Sequence, residues 1–168
     1  MKKLFLASLS LAALSAPTLA NESLGVSLSN LSDDGITLQT LNVHAGYTFY
    51  LSNPNFSITP EGRLGLGVGD DQIGGVDVEV DSLMVLSVRA NYSINEKVVI
   101  FAQPSYAKLR ASAQLANNSG AKESLDSDWE LGAGVGAEYK INPNCSLNLT
   151  YENIENTDIL SAGFRYNF

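Results

Sequence analysis

The sequence predicts an all-β protein, an eight-stranded antiparallel up-and-down transmembrane β-barrel, and three observations support this prediction. Seven clusters of turn-forming residues divide the chain after residue 20 into eight extended segments. Within these segments apolar and polar residues alternate with a period of two, as in strands with one apolar and one polar face. The apolar face is rich in aromatic residues near the segment ends, which is typical of the interfacial girdles of membrane barrels.

The first twenty residues have the features of a cleaved signal peptide. Lys2 and Lys3 precede an apolar run over residues 4–14, and small residues end with Ala20. We therefore expect cleavage after Ala20, a barrel domain over 21–168, and export to the outer membrane of a Gram-negative bacterium. No later apolar run approaches the roughly 20 residues that a membrane helix needs.

The turn clusters contain Asn, Asp, Gly and Pro, which tolerate or preset the dihedral angles of turns. They lie at 32–35, 52–55, 70–75, 95–96, 117–122, 142–144 and 155–157. The predicted strands are 23–31, 36–51, 56–69, 76–93, 97–116, 125–141, 145–155 and 158–168. An even number of strands places both ends of the domain on the periplasmic side, so the three tight turns at 52–55, 95–96 and 142–144 are periplasmic.

Alternation alone does not separate a soluble β-protein from a membrane barrel, so the aromatic residues decide. Eleven of them share the apolar parity, and that face carries no charge in segments 56–69, 125–141 and 158–168. The expected girdle residues are Tyr47, Phe49, Phe56, Tyr92, Tyr106, Trp129, Tyr139, Tyr151, Phe164, Tyr166 and Phe168.

Two segments depart from the period of two. Ile36 and Leu38 are out of phase with the rest of segment 36–51, and Leu109 and Ala111 begin a phase change that continues to Leu115. A β-bulge near each change would restore the phase, and a misplaced strand boundary would explain it equally well.

The polar face is expected to fill the interior, because eight strands enclose a space just wide enough for side chains. Buried charges must pair or form hydrogen bonds, so we predict an ion network that plugs the barrel, with Arg63 close to Asp81. The glycines of the polar face make room for long side chains. The alternative is a narrow path for ions or solutes. The predicted network consists of Glu61, Arg63, Asp81, Arg89, Glu130, Glu138, Glu152 and Arg165, with His44 and Gln103 beside it.

The last 40 residues carry the most specific pattern. Trp129 begins an alternating Gly-rich strand, an Asn-Pro-Asn turn follows, and the sequence given closes on Gly-Phe-Arg-Tyr-Asn-Phe. With the signal peptide and the eight segments, the chain resembles the small OmpA/OmpX-type outer-membrane β-barrel domain family, without a periplasmic peptidoglycan-binding domain. The resemblance implies that Phe164, Tyr166 and Phe168 form the signal for the barrel-assembly machinery, with periplasmic chaperones as further partners during biogenesis.

The formal net charge of −8 argues against nucleic acid as a partner. The expected partners are outer-membrane lipid and lipopolysaccharide, and the protein is expected to be a monomer. The single cysteine, Cys145, permits no internal disulfide. No cofactor or metal motif is present. Acidic residues at the predicted outer end form either a solvated rim or sites for divalent cations that bridge to lipopolysaccharide: Asp33, Asp34, Asp70, Asp71, Asp77, Glu79, Asp81, Glu123, Asp126 and Asp128.

We do not expect an enzyme, because His44 is the only imidazole and neither Asp81-Ser82 nor Asp126-Ser127 has the spacing of a known nucleophile–base motif. The segments 76–93 and 97–116 exceed the 9–11 residues that a span needs, so they should project beyond the outer leaflet and offer strand edges to partners. The predicted role is structural or surface interaction, including envelope integrity and adhesion. A narrow porin is the alternative, and a lipid A-modifying enzyme ranks third.

Overall fold

The computed structural model describes residues 21–33, 36–68, 70–73, 76–115 and 122–168, and every regular element in them is a β-strand. The elements are β1 (Glu22–Asp33), β2 (Ile36–Tyr47), β3 (Phe49–Tyr50), β4 (Phe56–Gly67), β5 (Asp70–Ile73), β6 (Val76–Ser93), β7 (Val98–Leu115), β8 (Lys122–Asp126), β9 (Glu130–Lys140), β10 (Cys145–Ile154) and β11 (Thr157–Asn167). Helices with the length and hydrophobicity of a membrane span are absent from these ranges. The expected signal peptide, residues 1–20, lies outside them.

The sheet closes on itself, which confirms the predicted eight-stranded antiparallel barrel. The wall follows the order β1, β2, β4, β6, β7, β9, β10 and β11, and β11 pairs with β1 to complete the ring. The seam is continuous from Ser23 opposite Asn167 to Ser32 opposite Asp158. The short elements are extensions of wall strands: β3 follows β2, β5 follows β4, and β8 precedes β9 along the chain.

The three turns at the end that carries residues 21 and 168 are built in the same way. The side-chain oxygen of Asn53 accepts a hydrogen bond from the backbone N–H of Asn55, and Asn142 accepts one in the same way from Asn144. Asn95 accepts bonds from the N–H groups of Lys97 and Val98 at 2.8 Å. Such Asx turns explain why Asn begins each of these connections.

The outer surface of the wall is apolar, and the middle of the interior is polar and charged. Leu131 is 77% exposed and Val135 58%, whereas Glu138, which has the opposite parity on the same strand, is buried. All eleven predicted girdle aromatics are on the exposed face. Trp129, immediately before β9, and Tyr139, near its end, bracket the apolar surface of this strand. At a rise of about 3.3 Å per residue and a tilt of about 40°, their spacing corresponds to a band about 25 Å tall, the height that suits a membrane barrel.

Neither β2 nor β7 has an extra residue at its phase change, so a bulge in that strand, one of the two explanations considered, is wrong for both. The pairing of β2 with β1 runs without a shift from Tyr47 to Ile36, and Leu38 is buried inside the barrel. In the second case the extra residue is in β6, where the register with β7 shifts between Val80 and Ser82. Strand β7 keeps its alternation from Val99 to Ala111, so Leu109 and Ala111 also point inward. The out-of-phase residues Leu38, Leu109 and Ala111 are therefore apolar side chains of the interior.

The strands β6 and β7 have 18 residues each, close to the predicted 76–93 and 97–116, and are the longest of the described strands. Ile154, the last residue of β10, pairs with Gly132 of β9, and Gly132 pairs in turn with Ser105 of β7. Strand β7 continues beyond this row of paired residues to Leu115. There β5 pairs with residues 76–79 of β6, and β8 pairs with residues 110–114 of β7. We call β5, β8 and the parts of β6 and β7 that pair with them the outer extension.

Candidate functional site

The barrel interior is the candidate site, because six charged side chains of the wall strands are brought together in it. Six of the eight predicted network residues meet at its centre. They come from five different strands and consist of three arginines and three glutamates: Glu61, Arg63, Arg89, Glu138, Glu152 and Arg165.

The first half of this cluster centres on Glu152, which is fully buried. Its Oε2 accepts a hydrogen bond from Nη2 of Arg63 at 2.5 Å. Its Oε1 accepts one from Nε2 of Gln103 at 2.8 Å. Donors from β4 and β7 thus satisfy both carboxylate oxygens of Glu152. Neither of these strands is a neighbour of β10, which carries Glu152.

The second half is a ring of alternating charges. Arg165 contacts Glu61 and lies 3.5 Å from Oε2 of Glu138 through its Nε atom. Arg89 lies 3.6 Å from Glu61 and 3.3 Å from Glu138, so each arginine contacts both carboxylates. The guanidinium of Arg89 also stacks over the ring of Phe101, 3.6 Å from its centroid, where a cation–π contact adds to the attraction. The six charges balance, which is how buried ions are tolerated.

Glycines of the polar face make room for these side chains, as expected. A Cβ atom on Gly134 would lie 2.5 Å from Cγ of Glu152, and one on Gly136 would lie 2.3 Å from Cζ of Phe101. Gly25 makes room for His44 in the same way, because a Cβ atom on Gly25 would lie 2.2 Å from Nε2 of His44. His44 is 4% exposed and packs among Glu61, Arg89 and Arg165.

An apolar layer fills the interior toward the outer end, and the sequence analysis missed it. Its residues pack against one another with 1–8% exposure, and Leu109 lies against them: Leu31, Leu38, Val80, Leu83, Val85, Ala107, Ile154 and Ile159. The sequence feature that could have indicated this layer is an apolar residue at a position of the polar face next to an outer turn. Four residues have this feature: Leu31, Leu38, Ile154 and Ile159. We call this layer the apolar plug.

The end of the interior that carries residues 21 and 168, the expected periplasmic end, holds a polar cavity of about 110 Å³. Arg89, Glu138 and Arg165 form its inner wall, and Glu22 and Lys140 lie at its mouth. The cavity stops at the ion network. The interior thus has a polar mouth, a charged middle and an apolar outer layer.

Two predicted network residues lie elsewhere, and the expected contact of Arg63 with Asp81 is wrong. Arg63 is opposite Val85, because the hairpin turn lies between β5 and β6, later in the chain than the centre of the 70–75 cluster. Asp81 is the extra residue at the β6 irregularity, is exposed, and accepts a hydrogen bond from Ser112. Glu130 is the first residue of β9, at the outer end of the barrel and beyond the network.

The remaining candidate groups show no catalytic arrangement in the part of the chain that is described. Ser127, beside Asp126, bonds to the backbone of Leu109 at the outer end, whereas His44 is enclosed in the middle. Asp33, Glu79, Asp126 and Asp128 are exposed; Asp34 and the side chains of Asp70, Asp71, Asp77 and Glu123 lie outside the description. No three metal-binding side chains converge among the described residues.

The residues of the expected assembly signal are in the last strand. Phe164, Tyr166 and Phe168 all face outward. The rings of Tyr166 and Phe168 meet edge to face, 5.0 Å apart.

Comparison with solved structures identifies the same architecture. Ail, the attachment invasion locus protein of Yersinia pestis, is 18% identical with a TM-score of 0.61, over 88% of this chain and 97% of that one. The N-terminal β-barrel domain of Pseudomonas aeruginosa OprF is 11% identical with a TM-score of 0.60, over 87% and 97%. Neisserial surface protein A is 17% identical with a TM-score of 0.57, over 88% and 96%. These likenesses show the fold.

No curated protein sequence is similar enough to count as a relative. The model of the outer membrane protein beta-barrel domain, in contrast, matches residues 6–168, nearly the whole chain. The match agrees with the closed barrel and its apolar exterior and indicates the outer membrane as the location. The chain belongs to the outer membrane protein β-barrel domain family.

Proposed function

We propose that this protein is a non-conducting outer-membrane barrel with a structural and surface-interaction role. The observation that carries the proposal is the double closure of the lumen by the ion network and the apolar plug. An ion that entered from the periplasmic cavity would first meet paired charges and then Leu31, Leu83 and Ile159, which offer it no ligand. The barrel is then suited to anchor and stabilise rather than to transport.

The outer extension is the part that we propose makes contact outside the cell. Its strands continue beyond the row at which β10 ends, so the backbone of β8 lies beyond the neighbouring hairpin. Strand addition to such an edge uses main-chain hydrogen bonds and requires no particular side chain. Ail is an attachment protein by name, and adhesion is carried to this chain only as part of the proposal.

The test of the adhesive role removes the β7–β8 part of the outer extension and leaves the barrel. Ala111 and Leu125 are paired, so residues 112–124 are replaced by an Asn-Gly turn, which suits a two-residue hairpin. The matched control is Lys97→Ala in a periplasmic turn. We expect adhesion of cells that express the shortened protein to fall, while heat-modifiable migration on gels shows an intact barrel in both variants. Unchanged adhesion would reject the adhesive role.

A narrow porin is the second candidate, and the periplasmic cavity of about 110 Å³ is the observation in its favour. Single-channel recording in planar bilayers separates the two functions. We expect no conductance steps from the wild-type barrel. Reproducible steps that disappear when the protein is omitted would establish the porin instead.

A lipid A-modifying activity is the third candidate. The enclosed position of His44 argues against it, because a lipid substrate outside the wall cannot reach a side chain that is 4% exposed. Mass spectrometry of lipid A from cells with the wild-type protein, with His44→Ala and without the protein should give identical spectra. A modification that is lost in the last two strains would refute the non-enzymatic role.

Export and assembly complete the proposal. We propose that the segment before Asn21 directs export and is removed, and that Phe164, Tyr166 and Phe168 are recognised by the barrel-assembly machinery. N-terminal sequencing of the protein extracted from outer membranes should begin at Asn21. Replacing Phe168 with Ala should reduce the heat-modifiable fraction in cells without preventing refolding in detergent.

A further inference from the structure

Five buried nitrogen atoms in the middle of the barrel have no hydrogen-bond partner among the described residues. They are Nε2 of His44, Nδ2 of Asn148 and the Nε atoms of Arg63, Arg89 and Arg165. Nε of Arg165 lies 3.5 Å from Glu138, but not in the geometry of a hydrogen bond. Leaving a buried donor unpaired is costly, and such groups in folded proteins are nearly always paired. These atoms therefore need an acceptor that the described side chains do not supply.

The five residues line the same small cavity. They belong to β2, β4, β6, β10 and β11, and the cavity between them has a volume of about 10 Å³. That is room for one species of about the size of a water molecule. Glu61 is the only carboxylate among the described residues that line it, and it already contacts Arg89 and Arg165. Since Arg63 lines the cavity too, three guanidinium groups surround it against one carboxylate, and this local charge favours an anion.

The hydrogen-bonding groups around the cavity also favour an anion over a water molecule. A guanidinium Nε and an amide Nδ2 can only donate, so the three arginines and Asn148 present four donors through their unpaired atoms. A water molecule has two lone pairs and can accept from two of these donors. A monatomic anion can accept from all of them, and its size suits the cavity.

His44 accounts for the overall charge. The six members of the ion network sum to zero, so an anion alone would leave one buried negative charge uncompensated. The charged groups that face the imidazole are Glu61 and the three arginines, which are already part of that sum. A proton on His44 would restore the balance. The protonated ring donates from both nitrogens, so Nε2 would become a fifth donor to the anion.

We propose that the cavity beside His44 binds one anion of the size of chloride, together with a proton on His44. The five unpaired nitrogen atoms are the observation that carries the proposal. Anion and proton each compensate the charge of the other, so each should bind more tightly when the other is present. The proposal concerns the barrel interior and goes beyond the structural and adhesive role.

Urea unfolding of the full barrel in zwitterionic micelles, followed by Trp129 fluorescence, tests the anion. Sodium chloride is compared with sodium gluconate at the same concentration, because gluconate is too large for the cavity. At pH 5, with chloride at about ten times its apparent Kd, the midpoint should be about 0.7 M higher in chloride. At pH 8 the two salts should give the same midpoint, because the apparent Kd weakens about tenfold for each pH unit above the His44 titration.

Proton NMR of the folded barrel tests the proton, because His44 is the only histidine in the chain. The midpoint of its titration should lie about one pH unit higher in chloride than in gluconate, if chloride again is at about ten times its Kd. The variant His44→Gln should have the same urea midpoint in both salts at pH 5. Lys97→Gln, which removes an exposed cation outside the lumen, should keep the wild-type response.

Heat-modifiable migration shows that each variant is folded. Equal urea midpoints of the wild type in the two salts at pH 5 would refute the inference and would mean that the cavity holds a neutral molecule. An equal chloride response at pH 8, a response that survives in His44→Gln, or one that is lost in Lys97→Gln would refute it as well. If His44→Gln does not fold, the His44 titration of the wild type decides, and a midpoint that is the same in both salts rejects the proposal. Adhesion and conductance are not part of these readouts, so failure here leaves the proposed function to its own tests.

Discussion

Glu152→Gln is the substitution that tests the ion network most directly. It keeps the size of the side chain and one acceptor oxygen for Gln103, but it removes the negative charge that faces Arg63. Arg63 is 7% exposed and would keep its positive charge away from water. Breaking a buried ion pair from one side costs about 3–5 kcal/mol in water-soluble proteins. Because the amide still accepts a hydrogen bond, we expect the lower end, about 3 kcal/mol.

Urea unfolding of the barrel in micelles, followed by Trp129 fluorescence and by gel migration, measures this loss. With a slope of about 2 kcal/mol per molar urea, the midpoint should fall by about 1.5 M. Glu130→Gln is the matched control, since it makes the same change outside the network and should shift the free energy of unfolding by no more than about 0.5 kcal/mol.

The double variant Arg63→Met/Glu152→Met completes the argument. Replacing both partners of a buried pair by apolar residues is often neutral, so the double variant should recover most of the stability that Glu152→Gln loses. Two results would refute this reasoning. The first is a Glu152→Gln variant no less stable than Glu130→Gln, which would mean that the pair contributes nothing. The second is a double variant less stable than the single one, which would mean that size and shape matter more than charge balance.

Three further predictions concern the wall and the apolar plug. Gly136→Ala should destabilise the barrel by about 1–3 kcal/mol in urea unfolding, because the new Cβ would overlap Phe101. Gly62→Ala is the control and should change the urea midpoint little, because its Cβ would have only an ordinary contact at 3.9 Å. Equal effects of the two substitutions would contradict the packing argument. Glu155→Gly should raise the free energy of unfolding by about 1 kcal/mol, and with it the urea midpoint, because Glu155 has a φ of 54°, which is unfavourable for a residue other than glycine. A lower midpoint would contradict this prediction. Leu83→Ala should lower the free energy of unfolding by about 2–5 kcal/mol. The variant should still give no conductance in planar bilayers, because the ion network remains closed. A conducting variant would show that the apolar plug alone seals the lumen.

The sequence was sufficient for the wall of the barrel. A period of two in segments such as 56–69 and 125–141 identifies a strand and its two faces whatever the rest of the chain does. The turn clusters then set the number of strands. The aromatic residues identify the face toward lipid, because no soluble core needs rings confined to strand ends. Six of the network residues follow from the same parity.

The interior toward the outer end could not be predicted in this way. A period of two assigns every apolar residue to the lipid face, so Leu38 and Leu109 looked like errors of phase and suggested bulges. Their true environment depends on residues from β1, β6, β10 and β11 that meet only when the sheet closes. Similarly, the partner of Arg63 depends on where within the 70–75 cluster the turn forms, and a displacement of the turn moves the whole register by several residues.

The ion network also constrains how the barrel enters the membrane. Among the ion pairs of its six members, only Glu61 with Arg89 joins strands that are neighbours in the wall. Arg63 with Glu152, and Arg165 with Glu61, connect strands on different sides of the lumen. A single hairpin that entered the bilayer ahead of the others would therefore expose uncompensated charges to hydrocarbon, at about 2–4 kcal/mol each. Insertion and ring closure should thus occur together, with the last strand pairing as the charges leave water.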